Sequence, residues 1–72
     1  MPRFLMTESL VLAIDLSPLT LRELSAIAGI HPSNISRYKS GVQFGKRARA
    51  GVVRLAEALD IDPAAGVIRC GR

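Results

Sequence analysis

The sequence predicts a single small all-α domain of four to five helices. Its 72 residues are 49% apolar and 22% charged, which supplies one compact core but leaves no room for a separate catalytic domain. Apolar residues recur at helical spacing, and threonine, proline and glycine stand where those runs begin and end. We therefore treat residues 1–72 as one domain.

Two threonines mark the starts of the first two predicted helices. Thr7 precedes apolar residues at helical spacing and Pro18 ends that run, which predicts helix 1 over about residues 7–16. Thr20 with Glu23 three residues later has the pattern of a capping box, and Gly29 is placed to end the helix in the left-handed conformation. This predicts helix 2 over about residues 21–28.

Pro32 begins the next predicted helix, because a proline in the first turn loses no hydrogen bond. Ile35 and Tyr38 share its inner side and Gly41 follows it, which predicts helix 3 over about residues 32–40. After a loop through Phe44, helical spacing of apolar residues marks helix 4: Ala48, Val52, Leu55, Ala56 and Leu59. Asp62-Pro63 indicates one further short turn.

Basic residues are concentrated in one stretch of the chain. The formal net charge is +4, and the stretch from residue 37 to residue 54 contains no acidic residue among its cations, Arg37, Lys39, Lys46, Arg47, Arg49 and Arg54. A localised positive field is what binding to a phosphate backbone requires. The other interpretation is a solvated charged face, and the position of the stretch beside helix 3 favours the first.

The residue types argue against catalysis and metal binding. The chain has one cysteine, Cys70, and one histidine, His31, so it offers no internal disulfide, zinc cluster or nucleophile with a base. The apolar stretch 4–16 contains two acids and is shorter than the roughly 20 residues that span a bilayer, so we interpret it as a core helix. We expect a cytoplasmic protein that is not an enzyme and has no cofactor, metal, small-molecule ligand or membrane partner.

The run LTLRELSAIAGIHPSNISRYKSG at residues 19–41 is similar to the helix-turn-helix of the phage repressor and Cro-like family, also called the XRE family. The run VRLAEALDIDP at residues 53–63 resembles that family's fourth helix and its exit. The resemblance implies a lambda-repressor-like bundle that binds double-stranded DNA with sequence specificity. It also implies a transcriptional regulator, of the phage or prophage repressor type.

The same resemblance implies which residues contact DNA. The base-reading candidates are Ser33, Asn34 and Arg37, on the outward side of helix 3. The candidates for the sugar-phosphate backbone lie at the start of helix 2, around helix 3 and at the start of helix 4: Thr20, Leu21, His31, Lys39, Ser40, Lys46, Arg47 and Arg49. The alternative for Ser33 and Asn34 is local capping of the helix, and for Arg37 it is contact with phosphate alone.

Four positions depart from the family's pattern. Leu21 replaces a frequent glutamine, so only its amide can bind phosphate, and His31 replaces the usual serine or threonine cap. Pro32 removes one base-reading side chain. Ser25 replaces an alanine that faces helix 3, and its hydroxyl therefore needs a nearby carbonyl.

Three apolar residues remain outside the predicted core: Val53, Val67 and Ile68. If they meet across a two-fold axis, the protein is a homodimer on a palindromic site. The alternative is that Val67 and Ile68 fold back over the monomer's own core.

Two other functions remain open at this point. One is an excisionase-like or MerR-like winged DNA-binding protein, with a wing over residues 41–49, although residues 50–59 have a helical pattern. The other is an antitoxin-like or anti-repressor module that binds a protein chain instead of DNA.

Overall fold

The structure, a computed structural model, describes residues 2–70. Within that range the chain forms β1 (Phe4–Met6), α1 (Glu8–Leu16), α2 (Leu21–Ala28), α3 (Pro32–Lys39), α4 (Lys46–Ala58), α5 (Pro63–Gly66) and β2 (Val67–Arg69). The prediction of a small, mostly helical domain is confirmed. In the part of the chain that is described, no helix has the length and apolar character needed to cross a bilayer.

The predicted helix starts are confirmed by their caps. The Thr7 hydroxyl accepts a hydrogen bond from the Leu10 amide at 3.3 Å. Thr20 and Glu23 form the reciprocal capping box, with the Thr20 amide donating to Glu23 Oε1 at 2.9 Å and the Glu23 amide donating to Thr20 Oγ1 at 3.1 Å. Gly29 ends α2 at φ 67° and ψ 30°, the left-handed conformation that glycine adopts without strain.

A two-stranded antiparallel sheet makes the all-α prediction wrong. Residues 4–6, which we expected in the apolar stretch of a core helix, form β1, and β1 pairs with β2 in the register Phe4 with Arg69, Leu5 with Ile68 and Met6 with Val67. Hydrogen bonds continue at both ends, from the Thr7 amide to the Gly66 carbonyl and from the Cys70 amide to the Arg3 carbonyl. The sheet ties residues about sixty positions apart in the sequence.

Phe44 pairs with the free side of β1. The amide and carbonyl of Phe44 exchange two 2.9 Å hydrogen bonds with those of Phe4. Its ring is buried, lies 4.7 Å from the Tyr38 ring of α3 and stacks at 6.4 Å with the Phe4 ring, as measured between centroids. The segment 41–49 therefore supplies one bridging residue and the first turn of α4 instead of the strand pair of a wing.

The core draws side chains from the first four helices, from both strands and from Phe44. Its largest fully buried members are Phe44, Leu10, Leu24, Ile35, Leu55 and Val52. Val67 also belongs to it, with 8% of its surface exposed. The prediction that Val67 lies outside the core is therefore wrong, because pairing with Met6 turns its side chain inward.

Helix α4 lies very close to the end of α2. A Cβ at Gly51 would lie 2.3 Å from the Ala28 carbonyl oxygen and 2.8 Å from Ile30 Cδ1, so only glycine fits between them. One turn along α4, Arg54 Nη2 donates to the same Ala28 carbonyl at 2.9 Å. Gly51 and Arg54 thus fix where α4 crosses the junction between α2 and α3.

We expect Gly51→Ala to destabilise the protein by about 1 to 3 kcal/mol, because the added methyl overpacks this crossing. Helix propensity alone predicts the opposite sign, a gain of about 1 kcal/mol. Denaturant unfolding measures the change, and Ala50→Gly at the exposed neighbouring position calibrates the propensity effect. A Gly51→Ala variant more stable than wild type would contradict the close approach.

Candidate nucleic-acid interface

Three residues, Gly29–His31, connect α2 to α3. The Ser25 carbonyl accepts hydrogen bonds from the Gly29 and Ile30 amides at 2.8 and 3.3 Å. The Ser25 hydroxyl donates to the Ile30 carbonyl, so the carbonyl that this serine was predicted to need is present. These bonds hold α2 and α3 in one fixed relative orientation.

The outer face of α3 is made of three serines and an arginine. Ser33, Ser36, Arg37 and Ser40 are exposed, whereas Ile35 is fully buried. At 100° per residue, Ser33, Arg37 and Ser40 follow one line along the helix. Arg37 is therefore the long side chain in the middle of a face of short polar residues.

Ser33 takes part in the cap at the start of α3. His31 Nδ1 accepts a hydrogen bond from the Ser33 amide at 3.2 Å and lies 2.7 Å from the Ser33 hydroxyl oxygen. Because Nδ1 accepts, the ring proton lies on Nε2 in a neutral imidazole. The cap is thus the His31 side chain and not the Ser33 hydroxyl, and DNA would have to compete with His31 for that hydroxyl.

Asn34 lies beside the outer face of α3 and is half-buried. It lines an open cleft of about 460 Å³ between α3 and the start of α4, together with His31, Tyr38 and Arg47. Asn34 therefore borders the cleft between the two helices and is less exposed than Ser33 and Arg37.

The start of α2 is partly occupied by its own capping box. The Thr20 amide, expected as a phosphate contact, is donated to the Glu23 carboxylate. The amides of Leu21 and Arg22 follow in the first turn, where a helix has no internal acceptor. The pKa of Glu23 lies below its ordinary value of 4.5. The main cause is the hydrogen bond from the Thr20 amide, and a hydrogen bond with the Thr20 side chain contributes less.

Three more residues named from the sequence form an ion pair or hydrogen bonds with other residues of the protein. The Lys39 ammonium forms an ion pair with Asp15 of α1. The Ser40 hydroxyl donates to the Arg37 carbonyl at 2.8 Å and caps the end of α3. Arg54, part of the basic stretch, is held by Ala28.

The remaining cations of the stretch are exposed. Arg37, Lys46, Arg47 and Arg49 have no acidic partner within residues 2–70. Gly45 precedes α4 and supplies no side-chain cap, so the positive end of the helix adds to the field of these side chains. This region has a strong local positive charge.

Two arginines that sequence reasoning missed join this region. Arg3 precedes β1 and Arg69 lies in β2 opposite Phe4, and the sheet brings both to the start of α4 near Lys46 and Arg49. They lie far apart in the sequence and outside the basic stretch. No local pattern could have grouped them without the pairing of the strands.

The three residues predicted for a dimer interface lie in different environments. Val53 is half-buried against the core and Val67 is buried, whereas Ile68 is 48% exposed on the outer face of the sheet, paired with Leu5. Of the three, Ile68 alone presents a largely exposed apolar side chain.

No protein-family model, curated protein or solved structure matches this chain. Within residues 2–70 there is also no group of three or more histidine, cysteine, aspartate or glutamate side chains placed to hold a metal ion.

We expect Glu23→Gln to remove part of the pH dependence of stability. Since folding lowers the pKa of Glu23, its carboxylate stabilises the fold fully above about pH 4.5, and this stabilisation is lost as the pH falls through the lower folded value. Glutamine keeps an acceptor for the Thr20 amide but carries no charge. The midpoint temperature of thermal unfolding should therefore be lower for the variant than for wild type near neutral pH, and the two midpoints should converge in acid. An equal difference between them at every pH would contradict this role.

Proposed function

We propose that this chain is a sequence-specific double-stranded DNA-binding protein that regulates transcription as a repressor. In this proposal α2 and α3 form a helix-turn-helix within a lambda-repressor-like bundle, and α3 is the recognition helix. The observation that carries the proposal is the outer face of α3, which is polar and centred on Arg37. It lies beside cations of α4 that have no acidic partner among residues 2–70.

The shape of α3 suits the major groove, which is about 12 Å wide and admits one helix. Serine side chains are short, so Ser33, Ser36 and Ser40 let the helix backbone come close to the base edges. Arg37 then reaches furthest, and its guanidinium can donate two hydrogen bonds to one guanine. Asn34, on the side of α3, is placed for a base at the edge of the contacted site or for the adjacent backbone.

The surrounding groups would hold the sugar-phosphate backbone. Lys46, Arg47 and Arg49 supply positive charge on one side of α3, and the free amides at the start of α2 supply donors on the other. Lys39 would first have to release Asp15, so we expect it to contribute less than the unpaired cations.

A homodimer is also part of the proposal. A single α3 gathers few base contacts, and two copies related by a two-fold axis would place two recognition helices about 34 Å apart, one turn of DNA. The structure offers Ile68 for the contact, with Leu5 beside it. Val67 takes no part in it, because it belongs to the core.

Two exposed leucines on α1 favour a second candidate, a module that binds another protein. Leu12 and Leu16 are 57% and 79% exposed and lie one turn apart on the outer side of α1. A protein that contacts DNA phosphates loses affinity steeply as the salt concentration rises. A protein-binding module without such contacts would not show this salt-dependent DNA binding. Titration of random duplex at two salt concentrations distinguishes the two functions.

We expect Arg37→Ala to weaken binding to a duplex selected from a random library by about 1 to 3 kcal/mol and to relax base preference at one position in each half-site. Arg37→Lys is the matched control, because lysine keeps the charge but lacks the rigid, planar pair of donors that a guanidinium presents to guanine. Both variants should lose the preference at that position. If both variants keep the full base preference at that position, or Arg37→Ala weakens selected and random DNA equally, Arg37 contacts phosphate only.

For assembly, we expect Ile68→Asp to shift a dimer to monomers, because a buried carboxylate at the two-fold contact has no partner. Sedimentation of wild type and variant, with and without the selected duplex, measures this. Leu12→Asp makes the same chemical change on α1 and should leave assembly unchanged. Wild type that stays monomeric at high concentration and binds one per duplex, with Ile68→Asp no weaker, would rule the dimer out.

A further inference from the structure

Three exposed cations line a cleft with the ring of Phe4 where the sheet meets the start of α4, and a fourth, Arg3, lies nearby beside Gly45. We call Arg3, Lys46, Arg49 and Arg69 the sheet-side cluster. Lys46, Arg49 and Arg69 line an open cleft of about 420 Å³ together with Pro2 and Phe4. Arg3 Nη1 reaches to within 3.7 Å of the position that a Cβ at Gly45 would occupy.

Nothing within residues 2–70 neutralises the sheet-side cluster. The ion pair that the described residues form joins Lys39 to Asp15 and includes none of these four cations. Every polar side-chain group of the cluster is a hydrogen-bond donor, because arginine and lysine carry no acceptor. The chemistry of this surface is therefore complementary to an anion rich in acceptor oxygens.

The fold fixes the positions of two of these cations. The Arg49 guanidinium lies over the Phe4 ring, 5.2 Å from its centroid, and Arg69 is held opposite Phe4 by the strand register. The Phe4 ring stacks on Phe44, which contacts Tyr38 of α3. Buried aromatic contacts thus connect the sheet-side cluster to the recognition helix, and the two surfaces keep one relative position.

The first turn of α4 joins the two surfaces. Arg47 and Ala48 line the cleft that also contains Asn34 and Tyr38 of α3, while Lys46 and Arg49 line the cleft beside the sheet. The positive surface therefore continues from the side of α3, across the start of α4, to the sheet.

We propose that the sheet-side cluster binds the sugar-phosphate backbone of duplex DNA beyond the base pairs that α3 contacts. This inference rests on the proposed function, and it means that the protein contacts a longer stretch of DNA than the base pairs at α3. An open, shallow cleft lined by donors suits a run of phosphates, which present charge about every 1.7 Å along a duplex, better than a small ligand that needs enclosure.

The test compares two duplexes that contain the same selected site, one trimmed to its ends and one extended by about one helical turn of arbitrary sequence on each side. The variant is the double substitution Arg3→Gln and Arg69→Gln, which alters two exposed side chains outside the helices. Its matched control is Ala58→Glu with Ala64→Glu, which lowers net charge equally at exposed positions remote from the cluster.

Wild type should bind the extended duplex more tightly and with a steeper salt dependence than the trimmed one. The double variant should lose about two phosphate contacts on the extended duplex. When salt is raised from 50 to 200 mM, the fold-loss in its affinity should therefore be about one tenth of the fold-loss of wild type. On the trimmed duplex it should bind as wild type does, with unchanged base preference. The control variant should gain as much affinity as wild type when the trimmed duplex is replaced by the extended one.

Different results would refute the proposed function and the role of the sheet-side cluster. Wild type that binds neither duplex refutes the proposed function itself. Sequence-specific binding with the same gain on extension in wild type and the double variant refutes the inference alone, as does an equal loss in the control. Vesicles of equal parts phosphatidylcholine and phosphatidylserine provide the last arm: capture of wild type but not of the double variant, with DNA binding unchanged, would assign the cluster to a membrane surface instead.

Discussion

The arrangement of the whole domain depends on the close contact between α4 and the end of α2. Gly51 lets the α4 backbone approach the Ala28 carbonyl, and Arg54 donates a hydrogen bond to that carbonyl from one turn further along. The last turn of α2 leads directly into the three residues that set the direction of α3. One contact therefore fixes α2, α3 and α4 together, and with them the position of the exposed cations at the start of α4 relative to Arg37.

Phe44 makes the corresponding connection on the other side of α3. Its backbone pairs with Phe4 in β1, and its ring contacts Tyr38 from α3. A loop residue thereby serves as a third, one-residue strand and as a core side chain. Because such a residue is covered on both sides, the loop between α3 and α4 is held firmly although its glycines and exposed polar residues are typical of a mobile connection.

Local chemistry made the helices predictable. The threonine caps at Thr7 and Thr20, the left-handed Gly29 and the proline at the start of α3 each act within a few residues, and the structure has all of them in place. What the sequence could not reveal depends on partners distant in the chain. The sheet is built from two three-residue segments too short to show alternation, and the burial of Val67, the ion pair of Lys39 with Asp15 and the internal role of Arg54 all follow from tertiary packing. Arg37 is exposed, as its place on the outward side of helix 3 predicted, whereas polar groups of Ser33, Thr20 and Lys39 have partners inside the protein that the sequence did not reveal.

The pairing of β1 with β2 has a consequence for how the protein is made. β1 is synthesised about sixty residues before Val67–Arg69, the strand that completes its second edge. Until then the Leu5 backbone lacks its partner, and a contact of such long sequence separation closes slowly compared with the local helices. A nascent chain can therefore assemble its helices while the arginines on either side of Phe4 are still apart, so the full positive surface exists only once translation has passed residue 70.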